Sequence, residues 1–171
     1  MLIREIAAAP GLELVAATDR AESEAIGQDS GLLAGTGTNG VLISDDPENL
    51  ASADVLVDFT SPAASVAHAN MASRHGCAMV VGTTGLSADE EEVLKKAATQ
   101  IPIVYCANTS VGVTLLGQIV EQIARQLDPE WDIEVVETHH NQKVDAPSGT
   151  ALALGRAAAK GRDIDLDTIK E

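Results

Sequence analysis

Three apolar runs, each followed by a polar turn and then a helix-like stretch, limit the fold of this chain more than any other feature. Asp54-Val55-Leu56-Val57-Asp58-Phe59 reads as a buried strand. Thr60-Ser61-Pro62 follows as a cap with proline in the first helical turn, and 63–74 as the helix. Ala78-Met79-Val80-Val81 is a second strand and ends in Gly82-Thr83-Thr84-Gly85; Ser87 with Glu90 then forms a capping box for a helix to about Thr99. Ile103-Val104-Tyr105-Cys106-Ala107 is a third, ending in Asn108-Thr109-Ser110 before a helix of roughly Val113 to Leu127. Strands and helices alternating at this spacing form right-handed βαβ crossovers, the sequence pattern of a doubly wound parallel α/β sheet. Ligands of such sheets bind at the carboxyl ends of the strands, where the three polar clusters fall.

The start of the chain departs from that pattern. Residues 2–9 read as a short helix with Leu2, Ile3, Ile6 and Ala9 on one side, stopped by Pro10-Gly11. Leu12 to Ala17 then reads as a strand ending at Thr18-Asp19-Arg20. Residues 21–40 form a loop with some helix, and Val41 to Ser44 a short strand. Dinucleotide-binding domains usually open on a strand and a Gly-rich turn instead. Toward the other end, Trp131 to Thr138 alternates partially, as in a strand with one wet face, and 149–160 reads as a helix. These are expected to begin a second, smaller α+β domain. The expected division is 1–110 for a dinucleotide-binding domain and 111–171 for the start of a substrate domain.

The 171 residues carry 26 acidic and 11 basic side chains, a formal net charge of −15. That argues against a phosphate-attracting surface for nucleic acid and against adsorption to an anionic membrane. No apolar run is long enough to cross a bilayer, and Met1-Leu2-Ile3-Arg4-Glu5 acquires charge at once, unlike a signal peptide. With one Phe, one Tyr and one Trp, the core must be built from Ala, Val, Leu and Ile. Cys77 and Cys106 lie in strand-like segments without metal-ligand spacing, which fits a reducing cytoplasm.

The densest chemistry is in Glu137-Thr138-His139-His140-Asn141-Gln142-Lys143-Val144-Asp145-Ala146-Pro147-Ser148-Gly149-Thr150. Two imidazoles and an amine precede a Pro-Ser-Gly-Thr turn into a helix. A helix start offers open N–H groups and a partial positive charge, so it suits a carboxylate or phosphate. Imidazoles and an amine beside it suit proton transfer to an acidic substrate. A metal held by His139, His140 and Asp145 is a weaker rival, because neighbours on a strand face opposite ways. No metal is expected. Asp19 with Arg20 at a strand end fits an adenosine ribose and its 2′-phosphate, or equally a solvated turn. Gly82-Thr83-Thr84-Gly85 lets backbone approach a flat ring, or is an ordinary strand-to-helix turn. Asn108 is placed to bond a carboxamide, or with Ser110 to cap the next helix.

Residues 137–151 closely resemble the signature of the bacterial dihydrodipicolinate (4-hydroxy-tetrahydrodipicolinate) reductases. Val57-Asp58-Phe59-Thr60, Gly82-Thr83-Thr84-Gly85 and Ala107-Asn108-Thr109-Ser110-Val111-Gly112 stand in that family's order and spacing, and the resemblance covers the whole chain. It implies a Rossmann-like fold and reduction of a cyclic imine, 4-hydroxy-tetrahydrodipicolinate, with NADH or NADPH, on the diaminopimelate route to lysine. By resemblance, His139 is the acid/base residue and Lys143 the proton donor, His140 binds a substrate carboxylate, and Gly149 and Thr150 hold substrate at the helix start. Asp19 and Arg20 meet the adenosine ribose or its phosphate. Gly82, Thr83, Thr84, Cys106, Ala107, Asn108 and Thr109 line the nicotinamide end. Asp19 favours NADH and Arg20 admits NADPH. The family's first strand and Gly-rich turn are not seen before Met1, and most of its substrate-domain sheet, through which its homotetramer forms, is not seen after Glu171. The chain is accordingly expected to be a shortened form of a longer gene product. The rival readings are an inactive remnant of that fold and another NAD(P)-dependent amino-acid dehydrogenase.

Overall fold

The computed structural model describes residues 1–106, 108–139, 141 and 146–168. The chain divides into two units, Met1–Val81 with Ser87–Val104, and Gly82–Leu86 with Tyr105–Glu171.

The first unit holds α1 (Leu2–Ala8), α2 (Ser30–Ala34), α3 (Pro62–His75) and α4 (Ala88–Ala97), with a 3-10 helix at Pro47–Ser52. Its strands are β1 (Ala17–Thr18), β2 (Ile43–Ser44), β3 (Val55–Asp58), β4 (Ala78–Val81) and β5 (Ile103–Tyr105), the last ending one residue into the second unit. β1 and β2 form a parallel pair, and β3-β4-β5 is a separate sheet in which β3 and β4 run parallel, Val55 opposite Ala78 through Asp58 opposite Val81. With the flanking helices this is a Rossmann-like α/β arrangement. α3 and α4 begin where their sequence says they should. Ser61 Oγ accepts from the Ala64 amide in front of α3, with Pro62 at the first position, and Ser87 and Glu90 complete a reciprocal capping box on α4. α3 ends at Gly76, whose φ of 73° is a left-handed conformation that a side chain resists.

Burial alternates along β3: Leu56 and Asp58 face inward, while Val55 and Val57 face solvent. β3 is therefore covered on one face rather than two, as the unbroken apolar run suggests it should be. The covered side packs Leu56, Met79 and Val81 with Ala69, Met71, Ala72, Cys77, Leu94, Ala97 and Ile101. Burying a methionine of this kind contributes about 1.5–3 kcal/mol. Residues 12–16 do not form a strand; only Ala17 and Thr18 pair, with β2. β-Branched, apolar sequence is not enough without a neighbouring ladder to take its amides.

The second unit contains α5 (Val111–Gln126), α6 (Gly149–Gly161) and a 3-10 turn at Leu166–Thr168. The α5–α6 contact is close. A Cβ on Gly161 would overlap the Glu121 carbonyl oxygen and lie 2.9 Å from Ala124 Cβ, so glycine sets the helix separation. Lys160 Nζ and Arg125 Nη2 both reach Glu121, at 3.0 and 2.6 Å. Arg162 donates to the carbonyls of Asp128 and Trp131. The strand expected over 131–138 is not formed: no described residue pairs with it, and Trp131 and Val136 are exposed. No helix among the described residues is long and apolar enough to cross a membrane.

Candidate active site

The start of α6 is built by one serine and one distant glutamate. Ser148 is the N-cap: its Oγ accepts from the Ala151 amide at 3.0 Å, and its carbonyl accepts from Leu152. Its own amide donates to Glu137 Oε1 at 2.7 Å, and its hydroxyl donates to Glu137 Oε2. Ser148 is 2% exposed, so these bonds are shielded from water. The same carboxylate lies 3.6 Å from His139 Nδ1, within ion-pair range but too long for a hydrogen bond.

The Ser148 amide is not open to a substrate, because Glu137 already occupies it. Among the described residues nothing accepts from the amides of Gly149 and Thr150, the next two donors of the helix start. Thr150 is also fixed from the side: its Oγ1 accepts from Asn108 Nδ2 at 3.1 Å. Asn108 Oδ1 in turn accepts from the Ser110 amide at 2.6 Å, and Ser110 caps α5. Asn108 therefore ties the first turns of α5 and α6 together. One hydrogen of its carboxamide N–H₂ is used in this way.

The strand-end cluster Gly82-Thr83-Thr84-Gly85 follows β4 directly; Thr83 is buried, and Gly85 has a φ of 81°. Cys106 is half-buried and Thr109 exposed. Asp19 and Arg20 lie in the first unit, just past β1. Asp19 accepts from Ser23 Oγ at 2.6 Å and from the Arg20 amide at 2.8 Å, and these bonds, the serine's foremost, hold its carboxyl below the usual carboxylate range. It is thus an ionised, exposed acceptor at a strand end and at the same time a well-made turn. No described residue pairs with the Arg20 guanidinium. Ala107, His140 and Lys143 lie outside the described residues, as does Asp145. Among the described residues no three His, Cys, Asp or Glu side chains are grouped to hold a metal ion.

Two carboxylates escape a reading by local motif. Glu137 meets a serine eleven positions on. Asp58, at the end of β3 and 1% exposed, accepts from Thr60 Oγ1 at 2.6 Å and lies 3.1 Å from His68 Nδ1 on α3. Burial pushes the Asp58 carboxyl up, but the bonds to His68 and Thr60 outweigh it, and the group sits below its ordinary value. The sequence cues are, for Asp58, an acid ending an apolar strand within Val57-Asp58-Phe59-Thr60 and, for Glu137, its place in the motif.

Two family models match the chain in order: "Dihydrodipicolinate reductase, N-terminus" over residues 1–109 and "Dihydrodipicolinate reductase, C-terminus" over residues 112–170. The chain is 50% identical over 167 residues to the 4-hydroxy-tetrahydrodipicolinate reductase of Bradyrhizobium sp. (strain ORS 278), which takes in 97% of this chain and 61% of that protein. It is 52% identical over 167 residues to the enzyme of the same name from Rhizobium rhizogenes (strain K84 / ATCC BAA-868), with 96% and 61% covered. The chain thus spans about three-fifths of the length of these curated relatives. A solved structure, dipicolinate-bound dihydrodipicolinate reductase from Paenisporosarcina sp. TG-14, matches with a TM-score of 0.68 at 24% identity, over 94% of this chain and 60% of that one, and shares the fold. With both halves of the family pattern matched in sequence order and half of its residues shared with these reductases, this chain belongs to the dihydrodipicolinate reductase family.

Proposed function

We propose that the chain carries the cofactor and substrate residues of an NAD(P)H-dependent reductase that converts 4-hydroxy-tetrahydrodipicolinate to tetrahydrodipicolinate, a cytoplasmic step toward diaminopimelate and lysine. The observation that carries this reading is the start of α6, where the amides of Gly149 and Thr150 stand open beside a fixed imidazole, in a chain of this family. A small dicarboxylate, like the dipicolinate named in the related structure, presents the charge those amides favour. On this reading residues 1–110 serve the dinucleotide and 111–171 begin the substrate domain, in keeping with family matches at 1–109 and 112–170.

The residues present fit a nicotinamide dinucleotide. Asp19 is held ionised and exposed, as an acceptor for ribose hydroxyls must be, with the Arg20 guanidinium next to it for a 2′-phosphate. Gly82 offers a side-chain-free approach at the end of β4, and Asn108 keeps a donor for the carboxamide. The cofactor, when bound, supplies the hydride.

The protein's share is binding and proton placement. Gly149 and Thr150 hold one substrate carboxylate at the helix start, and His140 holds a carboxylate as a cationic partner. Hydride addition leaves an enamine-like or carbanion-like centre that needs a proton. Lys143 donates it, and His139 serves as the acid/base group beside it. The test is loss of NADH absorbance when the purified chain meets 4-hydroxy-tetrahydrodipicolinate, alongside dipicolinate titration. Turnover that falls by about 10²–10⁴ in His139→Ala is the expected result. Absence of substrate-dependent oxidation together with absence of dipicolinate binding overturns the reading.

A further inference from the structure

We infer that Glu137 is the positioning residue of this site: its carboxylate sets where His139 stands relative to the open amides of α6. The inference rests on the roles proposed above for His139, Gly149 and Thr150.

A helix that closes its N-terminus with a capping box carries the glutamate at the third helical position, and α4 does so with Glu90. In α6 that position is Ala151, which has no acceptor to offer. Glu137 supplies the missing carboxylate from eleven residues upstream, taking both the amide and the hydroxyl of Ser148. Two charge-assisted bonds to one residue fix the plane of the carboxylate as well as its distance. The glutamate side chain is 27% exposed, so the anchor is neither fully wet nor a costly buried charge.

Two consequences follow. Glu137 and His139 are two residues apart and share one carboxylate contact, so the anchor that holds the helix start also holds the imidazole. In addition, a permanent anion fills the first donor of the helix terminus. An incoming carboxylate is left with Gly149 and Thr150, because the Ser148 amide is already taken. Glu137 thus sets the register of the dicarboxylate against the proton donors. Misplacement of a bound substrate by about 1 Å costs about 100-fold in rate.

Three variants separate reach from charge. Glu137→Ala removes both. Glu137→Asp keeps the charge but is one methylene short of Ser148. Glu137→Gln keeps the reach, with its carbonyl on the Ser148 amide, and loses the charge. In the full chain, kcat and KM for the dicarboxylate and KM for NADH are measured, with the ¹H–¹⁵N resonance of the Ser148 amide and the ring resonances of His139. We expect kcat/KM for the dicarboxylate to fall about 100-fold in Glu137→Ala and Glu137→Asp, with NADH KM unchanged, and Glu137→Gln to recover to within about tenfold of the parent. The Ser148 and His139 signals should shift in the first two variants, and the Ser148 amide should stay nearest the parent position in Glu137→Gln. Parent kinetics in Glu137→Ala, rescue by Glu137→Asp instead of Glu137→Gln, a parallel loss of NADH affinity, or an unmoved Ser148 amide would each overturn the inference. If the parent chain itself turns nothing over, the functional reading fails, and the resonances alone decide whether Glu137 places Ser148 and His139.

Discussion

In Met1–Val81 with Ser87–Val104 the buried side chains include Leu56, Met71, Met79, Val81, Leu94 and Ile101. In Gly82–Leu86 with Tyr105–Glu171 the buried described residues are Thr83, Ala124, Ser148, Ala158, Ala159 and Gly161, none larger than threonine. Many of the larger apolar side chains of that second unit, among them Val111, Leu115, Ile119, Ile123 and Trp131, are exposed. Burial of apolar area is the main favourable term in folding, so the first unit has it in quantity and the second does not. What orders the second unit is close backbone approach at Gly161 and a set of polar anchors: Asn108 to Thr150, Glu137 to Ser148, Arg162 to the Trp131 carbonyl. The proposed chemistry sits on those anchors. A catalytic geometry held by single hydrogen bonds is more easily disturbed than one held by a packed core.

The largest effect should come from the first unit's own polar exception. Asp58→Ala leaves His68 without its acceptor in a buried place, and removing one member of a buried pair costs about 3 kcal/mol. Native-state hydrogen exchange at the amides of Met79 and Val81 reads this cost directly. The pH dependence has a definite sign. The folded pKa of Asp58 is depressed, so its contribution is fully present above the unfolded value near 3.8 and disappears as pH falls through the lower folded value. Unchanged protection in Asp58→Ala would mean that apolar packing alone holds the first unit, and would sharpen the contrast further.

Gly161→Ala probes the second unit by the opposite means, adding atoms where none fit. The new methyl meets the Glu121 carbonyl and Ala124, and overpacking of this kind costs about 2 kcal/mol. Trp131, whose carbonyl is held by Arg162 just past α6, gives a fluorescence readout of urea unfolding. A stability equal to the parent's would show that α5 and α6 part freely, and that close approach is not what orders this unit.

How much of this could be read from the residues follows the same division. The helix starts at Ser61, Ser87, Ser110 and Ser148 were legible because a cap is decided within four residues. β3 and β4 were legible as strands, since their apolar runs are bounded by turns. Residues 12–16 and Trp131 to Thr138 are apolar in part and did not become strands, because a strand needs a partner that its own sequence does not specify. At the candidate site, His139, Asn108, Gly149 and Thr150 could be picked out as chemistry. That Asn108 already serves Thr150, and that the Ser148 amide is already taken, could not. The Asn108–Thr150 and Glu137–Ser148 bonds join residues 42 and 11 positions apart, and no local rule links them.

The smallest and most direct comparison makes one substitution in two places. Ser87 and Ser148 are both N-caps whose amide and hydroxyl donate to a glutamate, Glu90 in the first unit and Glu137 in the second. Ser87→Ala loses a local cap, worth about 1 kcal/mol, and Glu90 stays on the same helix whatever happens to it. Ser148→Ala loses a cap of the same kind, but it also releases a carboxylate that arrives from elsewhere in the chain and stands beside His139. The expected cost is about 2 kcal/mol, toward the upper end for caps, and the disturbance should reach past the helix start to the resonances of residues 137–139. In Ser87→Ala the shifts should end within the first turn of α4. Thermal unfolding of each variant gives the two costs, and chemical-shift mapping gives the reach of each. If both substitutions cost the same and both stay local, then Glu137 is only a substitute for a capping-box glutamate, and the second unit's anchors carry no more than the first unit's caps do.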